Sequence, residues 1–120
     1  MRGREVSCLS VGIVGLGRIG GNLARYLDSM GATINYFDPN VINETYEKHE
    51  DLNKMLSICD AVFTCVHVAA DTIDMVNSDF IDNMKDHSYY INTSRGEIVV
   101  EQDLVVALQT GKIKAAGVDV

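Results

Sequence analysis

Tryptophan is absent, proline occurs once and cysteine three times among 120 residues, and each scarcity removes a class of explanation. The single proline, Pro39, offers no proline-rich linker at which to divide the chain, and no internal repeat or low-complexity tract does so either. Residues 1–120 are therefore read as one domain, which suits their length. Cys8, Cys59 and Cys65 are odd in number and lack CxxC spacing, so they predict reduced core thiols of a cytoplasmic protein; neither a disulfide frame nor a metal site is expected. Basic residues are also few. Ten Lys and Arg face 17 Asp and Glu, a net charge of −7, and no basic cluster exceeds the pair Arg2 and Arg4. That balance argues against nucleic acid or an anionic membrane as a partner. No apolar run approaches the ~18 residues of a membrane span, and no signal-peptide core stands at the N-terminus, so a soluble chain is expected.

What the sequence has in quantity is apolar residues, 47% of the total against 22% charged, enough for a single core and too many for disorder. Their spacing alternates between two kinds. Residues 9–14 are apolar apart from Ser10 and Gly12, as in a strand buried on both faces. From Ile19 the apolar positions Leu23, Leu27 and Met30 recur at helical spacing, Asn22, Arg25 and Asp28 face away, and Gly31 stops the helix. Residues 32–37 predict a second strand, closed by Asp38 and Pro39. After a polar stretch come a short helix at Leu52, Met55 and Leu56, and a third strand over 61–66. Ser78 is the expected cap of a helix holding Phe80, Ile81 and Met84. Ser88–Asn92 reads as a fourth strand, Glu101–Thr110 as a helix ended by Gly111, and Ile113–Val118 as a fifth strand. Strands that alternate with helices predict a doubly wound parallel α/β sheet of the Rossmann kind.

Gly15-Leu16-Gly17-Arg18-Ile19-Gly20 matches GxGxxG, a weak pattern alone that gains force from its setting. It follows a buried strand, opens a helix, and is succeeded 18 residues after Gly20 by Asp38 at the end of the next strand. Gly15 allows the tight turn, Gly17 lets a diphosphate approach the backbone, and Gly20 lets the helix pack on the strand. The N–H groups of Arg18 and Ile19 at the positive helix end are the expected diphosphate donors. Asp38 would accept the adenosine ribose hydroxyls and repel a 2′-phosphate, which favours NAD over NADP as cofactor.

A reaction must be read from elsewhere, because this fold serves many enzymes and some sensors. Four stretches carry a resemblance to the NAD-binding domain of the D-isomer-specific 2-hydroxyacid dehydrogenases, the family of phosphoglycerate, D-lactate, formate and hydroxypyruvate/glyoxylate enzymes. They are residues 11–20, Tyr36-Phe37-Asp38-Pro39, Cys59-Asp60-Ala61-Val62 leading to His67, and Ile91-Asn92-Thr93-Ser94-Arg95-Gly96 leading to Ala115-Ala116-Gly117-Val118-Asp119-Val120. The resemblance implies that Arg95 clamps the carboxylate and keto oxygen of a 2-oxo or 2-hydroxy acid, a task for planar bidentate chemistry. It further implies that Thr93, Ser94 and Asp119 hold the nicotinamide carboxamide, that His67 and Val68 line the cofactor beside it, and that the protein pairs as a homodimer through this domain.

Two departures from the family pattern stand out. Where a Pro and a Thr-Pro-Glu loop usually follow the position of His67, this chain has Ala69-Ala70-Asp71 and is shorter; and the usual Asp cap before Glu101 is Val100. The family's catalytic Glu, its His general acid/base and its substrate domain would lie outside these residues. The chain is thus expected to be part of a longer enzyme, its sheet incomplete at the C-terminal end, with Arg2-Gly3-Arg4-Glu5-Val6 resembling the entry to the domain. Two readings without chemistry stand beside this one: a stand-alone NAD-sensing module, and a non-catalytic dimerisation partner.

Overall fold

Alternation along one strand explains the two-sided core of the structure, a computed structural model that describes residues 8–118. β1 (Ser10–Val14) sends Val11 and Ile13 to one face of the sheet, Gly12 and Val14 to the other. On the first face α1 (Arg18–Ser29) closes a cluster of Val11, Ile13, Leu16, Ala24 and Ala32 with Ile34 and Tyr36 of β2 (Thr33–Phe37). On the second, Met55 and Leu56 of α2 (Leu52–Ile58), Phe80 and Ile81 of α3 (Ser78–Asp82), and Leu104 and Ala107 of α4 (Glu101–Thr110) pack together. Beneath them lie Val62 of β4 (Ala61–Thr64), Tyr90 of β5 (Ser88–Asn92) and Ile113 of β6 (Ile113–Val118).

With the two-residue β3 (Glu47–Lys48), the described strands form one sheet in the order β3-β2-β1-β4-β5-β6, and every pairing is parallel. This is the doubly wound Rossmann order. The chain runs outward from β1 through β2 to β3, then crosses back by α2 to β4 on the other side of β1. The loops after β1 and β4 therefore leave the sheet in opposite directions, and a crevice opens at their carboxyl ends.

Several local expectations change. The polar stretch after Asp38 contains β3, held to Tyr36 by the backbone N–H of His49 at 2.9 Å. The strand expected over 61–66 ends at Thr64. Ile19 and Met30, assigned to the buried side of the first helix, are 61% and 51% exposed. The inward face of α1 is Gly20, Leu23, Ala24 and Leu27 instead, because small residues there let the helix lie close to the sheet. Asn77 replaces Ser78 as the cap of α3: its Oδ1 accepts the Phe80 N–H at 3.0 Å, while the Ser78 N–H goes to Asp103. Among the thiols only Cys59 is fully buried; Cys65 is half-buried and Cys8 exposed. No described helix is long and apolar enough to cross a membrane.

Candidate dinucleotide site at the strand ends

Parallel pairing brings the predicted residues to one edge of the sheet, since each follows the carboxyl end of a strand: the glycine loop after β1, Asp38 after β2, His67 and Val68 after β4, and Thr93, Ser94 and Arg95 after β5. Asp119 lies outside the described residues.

The three glycines answer to different demands. Gly15 has φ +96°, and a Cβ on it would stand 2.6 Å from the Cys65 carbonyl oxygen. A Cβ on Gly20 would stand 2.1 Å from the Gly15 carbonyl oxygen, so only glycine lets α1 start this close to β1. Gly17, by contrast, has nothing within 4 Å of where a Cβ would be. Among the described residues no packing neighbour requires glycine there, and the open space is what a diphosphate resting on the backbone needs. Gly17 is also the N-cap of α1 and provides no side-chain cap, so the N–H groups of Arg18 and Ile19 keep their claim on an external acceptor at the positive helix end. The loop fits a diphosphate.

Asp38 does more than the spacing implies. Its Oδ2 accepts the Leu16 N–H and its Oδ1 the Asn40 N–H, both at 2.9 Å, so the half-buried carboxylate ties the glycine loop to the end of β2. Each oxygen retains a second lone pair for a ribose hydroxyl. Nothing in the motif announces the Leu16 contact, because it joins positions 22 residues apart.

On the far side of β1, Cys65 donates its N–H to Val14 at 2.8 Å. The Thr93 hydroxyl donates to the Thr64 carbonyl at 2.9 Å and lies 3.1 Å from Cys65 Sγ. Burial pushes the Cys65 thiol up, against the opposing effect of Thr93, and keeps it protonated. Ser94 is buried: its hydroxyl donates to the Thr64 carbonyl at 3.1 Å and accepts the Val66 N–H at 2.8 Å, which joins the ends of β4 and β5. The Ser94 side chain is thus committed to the fold.

The Arg95 side chain is 77% exposed at the rim, its Nε 3.5 Å from Glu97 Oε1. The Glu97 carboxyl is held below the usual carboxylate range, first by a backbone hydrogen bond and then by Arg95. His67 and Val68 are exposed, and the His67 ring makes no hydrogen bond among the described residues. The His67 backbone is held instead, its carbonyl accepting the Thr72 hydroxyl at 2.6 Å. A set of backbone bonds with no signal in the sequence lies beside them: Asp74 and Val76 donate to the Glu97 and Ile98 carbonyls at 3.0 and 2.9 Å, and Val100 donates back to Val76 at 2.9 Å. The loop after His67 and the segment after Arg95 are in this way fastened to each other. A shallow groove on α1, lined by Asn22, Arg25, Tyr26 and Ser29, shares no residue with these strand ends. Among the described residues no group of His, Cys, Asp and Glu could hold a metal ion.

Known proteins match the chain over nearly its whole length. The family described as D-isomer specific 2-hydroxyacid dehydrogenase, NAD binding domain, matches residues 1–120. A D-2-hydroxyacid dehydrogenase (NAD(+)) of Clostridioides difficile is 35% identical over 98% of this chain and 36% of its own length. A D-lactate dehydrogenase of Treponema pallidum is 34% identical over 97% of this chain and 36% of its own. Among solved structures, D-lactate dehydrogenase from Aquifex aeolicus complexed with NAD and lactic acid superposes with a TM-score of 0.92 at 34% identity, covering 98% of this chain and 36% of that one. The chain thus spans little more than a third of the length of the relatives it matches.

Proposed function

From the chain's membership of the D-isomer specific 2-hydroxyacid dehydrogenase family, as a NAD-binding domain, we propose that its strand-end crevice binds NAD(H) for an enzyme that interconverts D-2-hydroxy acids and 2-oxo acids. The observation that carries this reading is the open space over Gly17, with Asp38 on one side and Thr93, Ser94 and Arg95 on the other. Arg18 and Ile19 N–H groups receive the diphosphate, and Asp38 takes the adenosine ribose on its free lone pairs. The other half of the cofactor then lies over β4 and β5, beside His67, Val68, Thr93 and Ser94, with Asp119 as a further candidate contact. NAD, when bound, supplies a hydride acceptor or donor at nicotinamide C4 for C2 of the acid. Arg95 binds the substrate carboxylate and keto oxygen; its exposed pairing with Glu97 is of the weak, solvent-screened kind that a bidentate ligand displaces. We place the longer protein in the cytoplasm as a homodimer paired through this domain. The sensor reading gives Arg95 no task.

Calorimetry on these 120 residues should find NADH binding without turnover, since Arg95 has no partner here assigned to proton transfer, a contribution of about 10²–10⁴-fold. No binding of NADH would overturn the reading. Oxidation of NADH with glyoxylate or pyruvate, abolished by Arg95→Ala, would place a proton-transfer group within the chain and overturn the division of labour proposed.

A further inference from the structure

Below the turn that ends β5 lies a chain of buried polar groups to which the proposed chemistry gives no part. Tyr90, Thr64 and Asn92 are each 0% exposed. They face the same side of neighbouring strands, because Val62 pairs with Tyr90 and Thr64 with Asn92 in register. The Tyr90 and Thr64 hydroxyls share a hydrogen bond at 2.7 Å, and the Thr64 hydroxyl lies 3.2 Å from Asn92 Oδ1. Asn92 then grips the turn at both ends. Its Oδ1 accepts the Ser94 N–H at 2.7 Å, and its Nδ2 donates to the Arg95 carbonyl at 3.2 Å. This is an Asx-type turn with a second hold: Oδ1, which also meets the Thr64 hydroxyl, accepts from two positions on, Nδ2 donates to three positions on, and the turn so closed carries Arg95.

The placement of the turn gives the network its consequence. With the diphosphate over Gly17 and the adenosine ribose at Asp38, on the β2 side of β1, the remaining half of a dinucleotide can extend only over β4 and β5. The backbone of residues 93–95 is what it meets there, because the Thr93 and Ser94 hydroxyls are turned inward onto Thr64. Thr93 is tied to Thr64 by its N–H and hydroxyl, and Asn92 holds the two positions after it, the Ser94 N–H and the Arg95 carbonyl, which turns those groups away from the crevice.

We propose that Asn92, backed by the Thr64 and Tyr90 hydroxyls, is the positioning residue for the nicotinamide half of the cofactor, acting through the conformation of the turn 93–95. This rests on the dinucleotide reading above and deepens it. It differs from a merely structural role in being one-sided: among the described residues no side-chain hydrogen bond of the network reaches the adenosine and diphosphate subsites, which are built from β1, β2 and α1.

The test compares two ligands by calorimetry, NADH and ADP-ribose, the second lacking only the nicotinamide. In the unmodified chain NADH should bind more tightly. Asn92→Ala should weaken NADH about tenfold, the loss of one to two hydrogen bonds' net effect, while ADP-ribose stays within about twofold. Thr64→Val, which keeps the shape of the side chain and removes only the link between Tyr90 and Asn92, should shift NADH the same way by less, and serves alone if Asn92→Ala does not fold. Parallel weakening of both ligands, or NADH affinity unchanged in a folded variant, overturns the positioning role and leaves the dinucleotide site standing. An unmodified chain that binds neither ligand overturns the site itself, and the positioning role with it.

Discussion

A single added methyl group separates the two demands that act on the glycine loop. At Gly20 it would collide with the Gly15 carbonyl at 2.1 Å, a backbone atom that cannot swing aside, so Gly20→Ala should destabilise by ~3 kcal/mol, the upper end of overpacking costs. At Gly17 it meets no packing neighbour among the described residues, so Gly17→Ala should unfold within ~1 kcal/mol of the unmodified chain yet lose NADH affinity by about tenfold or more. Denaturant midpoints and calorimetry together check the pair; equal loss of stability would mean that Gly17 serves packing alone. Asp38 allows a similar separation. Asp38→Asn keeps an acceptor for the Leu16 N–H and removes the charge that would repel a 2′-phosphate, so the chain should stay folded while its preference for NADH over NADPH collapses. An unchanged ratio of the two dissociation constants would take specificity away from Asp38. Spacing along the chain is enough to mark the glycines and Asp38 as candidates. The grip of Asn92 on Ser94 and Arg95 is just as local, but an Asn at a strand end reads equally well as a turn former, and only burial tells the two apart.

Strands and helices were legible for the same reason that their ends were not. The burial of β1 on both faces and the αL glycine at Gly111 after α4 leave a mark in composition, whereas β3 is two residues long and held by backbone pairing that no side-chain pattern records. The burial of α1 misleads because its closest approach to the sheet is made by Gly20 and Ala24, residues with little hydrophobic signal, which turns Ile19 and Met30 outward. The first turn of α4 starts without a side-chain cap. Val100 is the N-cap of α4 and makes no side-chain cap hydrogen bond, and Asp103, which could help the first turn, accepts the Ser78 N–H instead. Val100 is half-buried, so a short polar side chain there can reach both the free N–H groups and water. Val100→Asp should raise stability by about 0.5–2 kcal/mol. A lower denaturant midpoint would show that the Val100 methyls contribute more to packing than a cap would add.

At the scale of the molecule the two faces of the sheet are unequally covered. Among the described residues α2, α3 and α4 lie over one face from β2 to β6, while α1 alone lies over the other, against β1 and β2. Ala61 and Phe63 continue the α1 face from Val11 and Ile13, and Phe63 still touches the α1 cluster. Beyond it the register carries the face on to Ile91, half-buried, and then to Ala115, exposed, and Gly117, with no described helix above them. β6 is also an edge strand among the described residues, with its outer backbone groups unpaired to any strand. Burying apolar surface is worth roughly 25 cal/mol per Å², so a second copy laid against this face gains from every square ångström it covers, and a net charge of −7 resists the approach by mutual repulsion that salt screens. Association should therefore strengthen with ionic strength. Sedimentation of the 120-residue chain at tens of micromolar should show dimers or larger species, more of them at higher salt. Ile91→Lys and Ala115→Glu, placed on that face, should return it to monomer without moving the denaturant midpoint by much, because neither side chain belongs to a core cluster. A chain that is monomeric at all salt concentrations would mean that this face carries no association of its own.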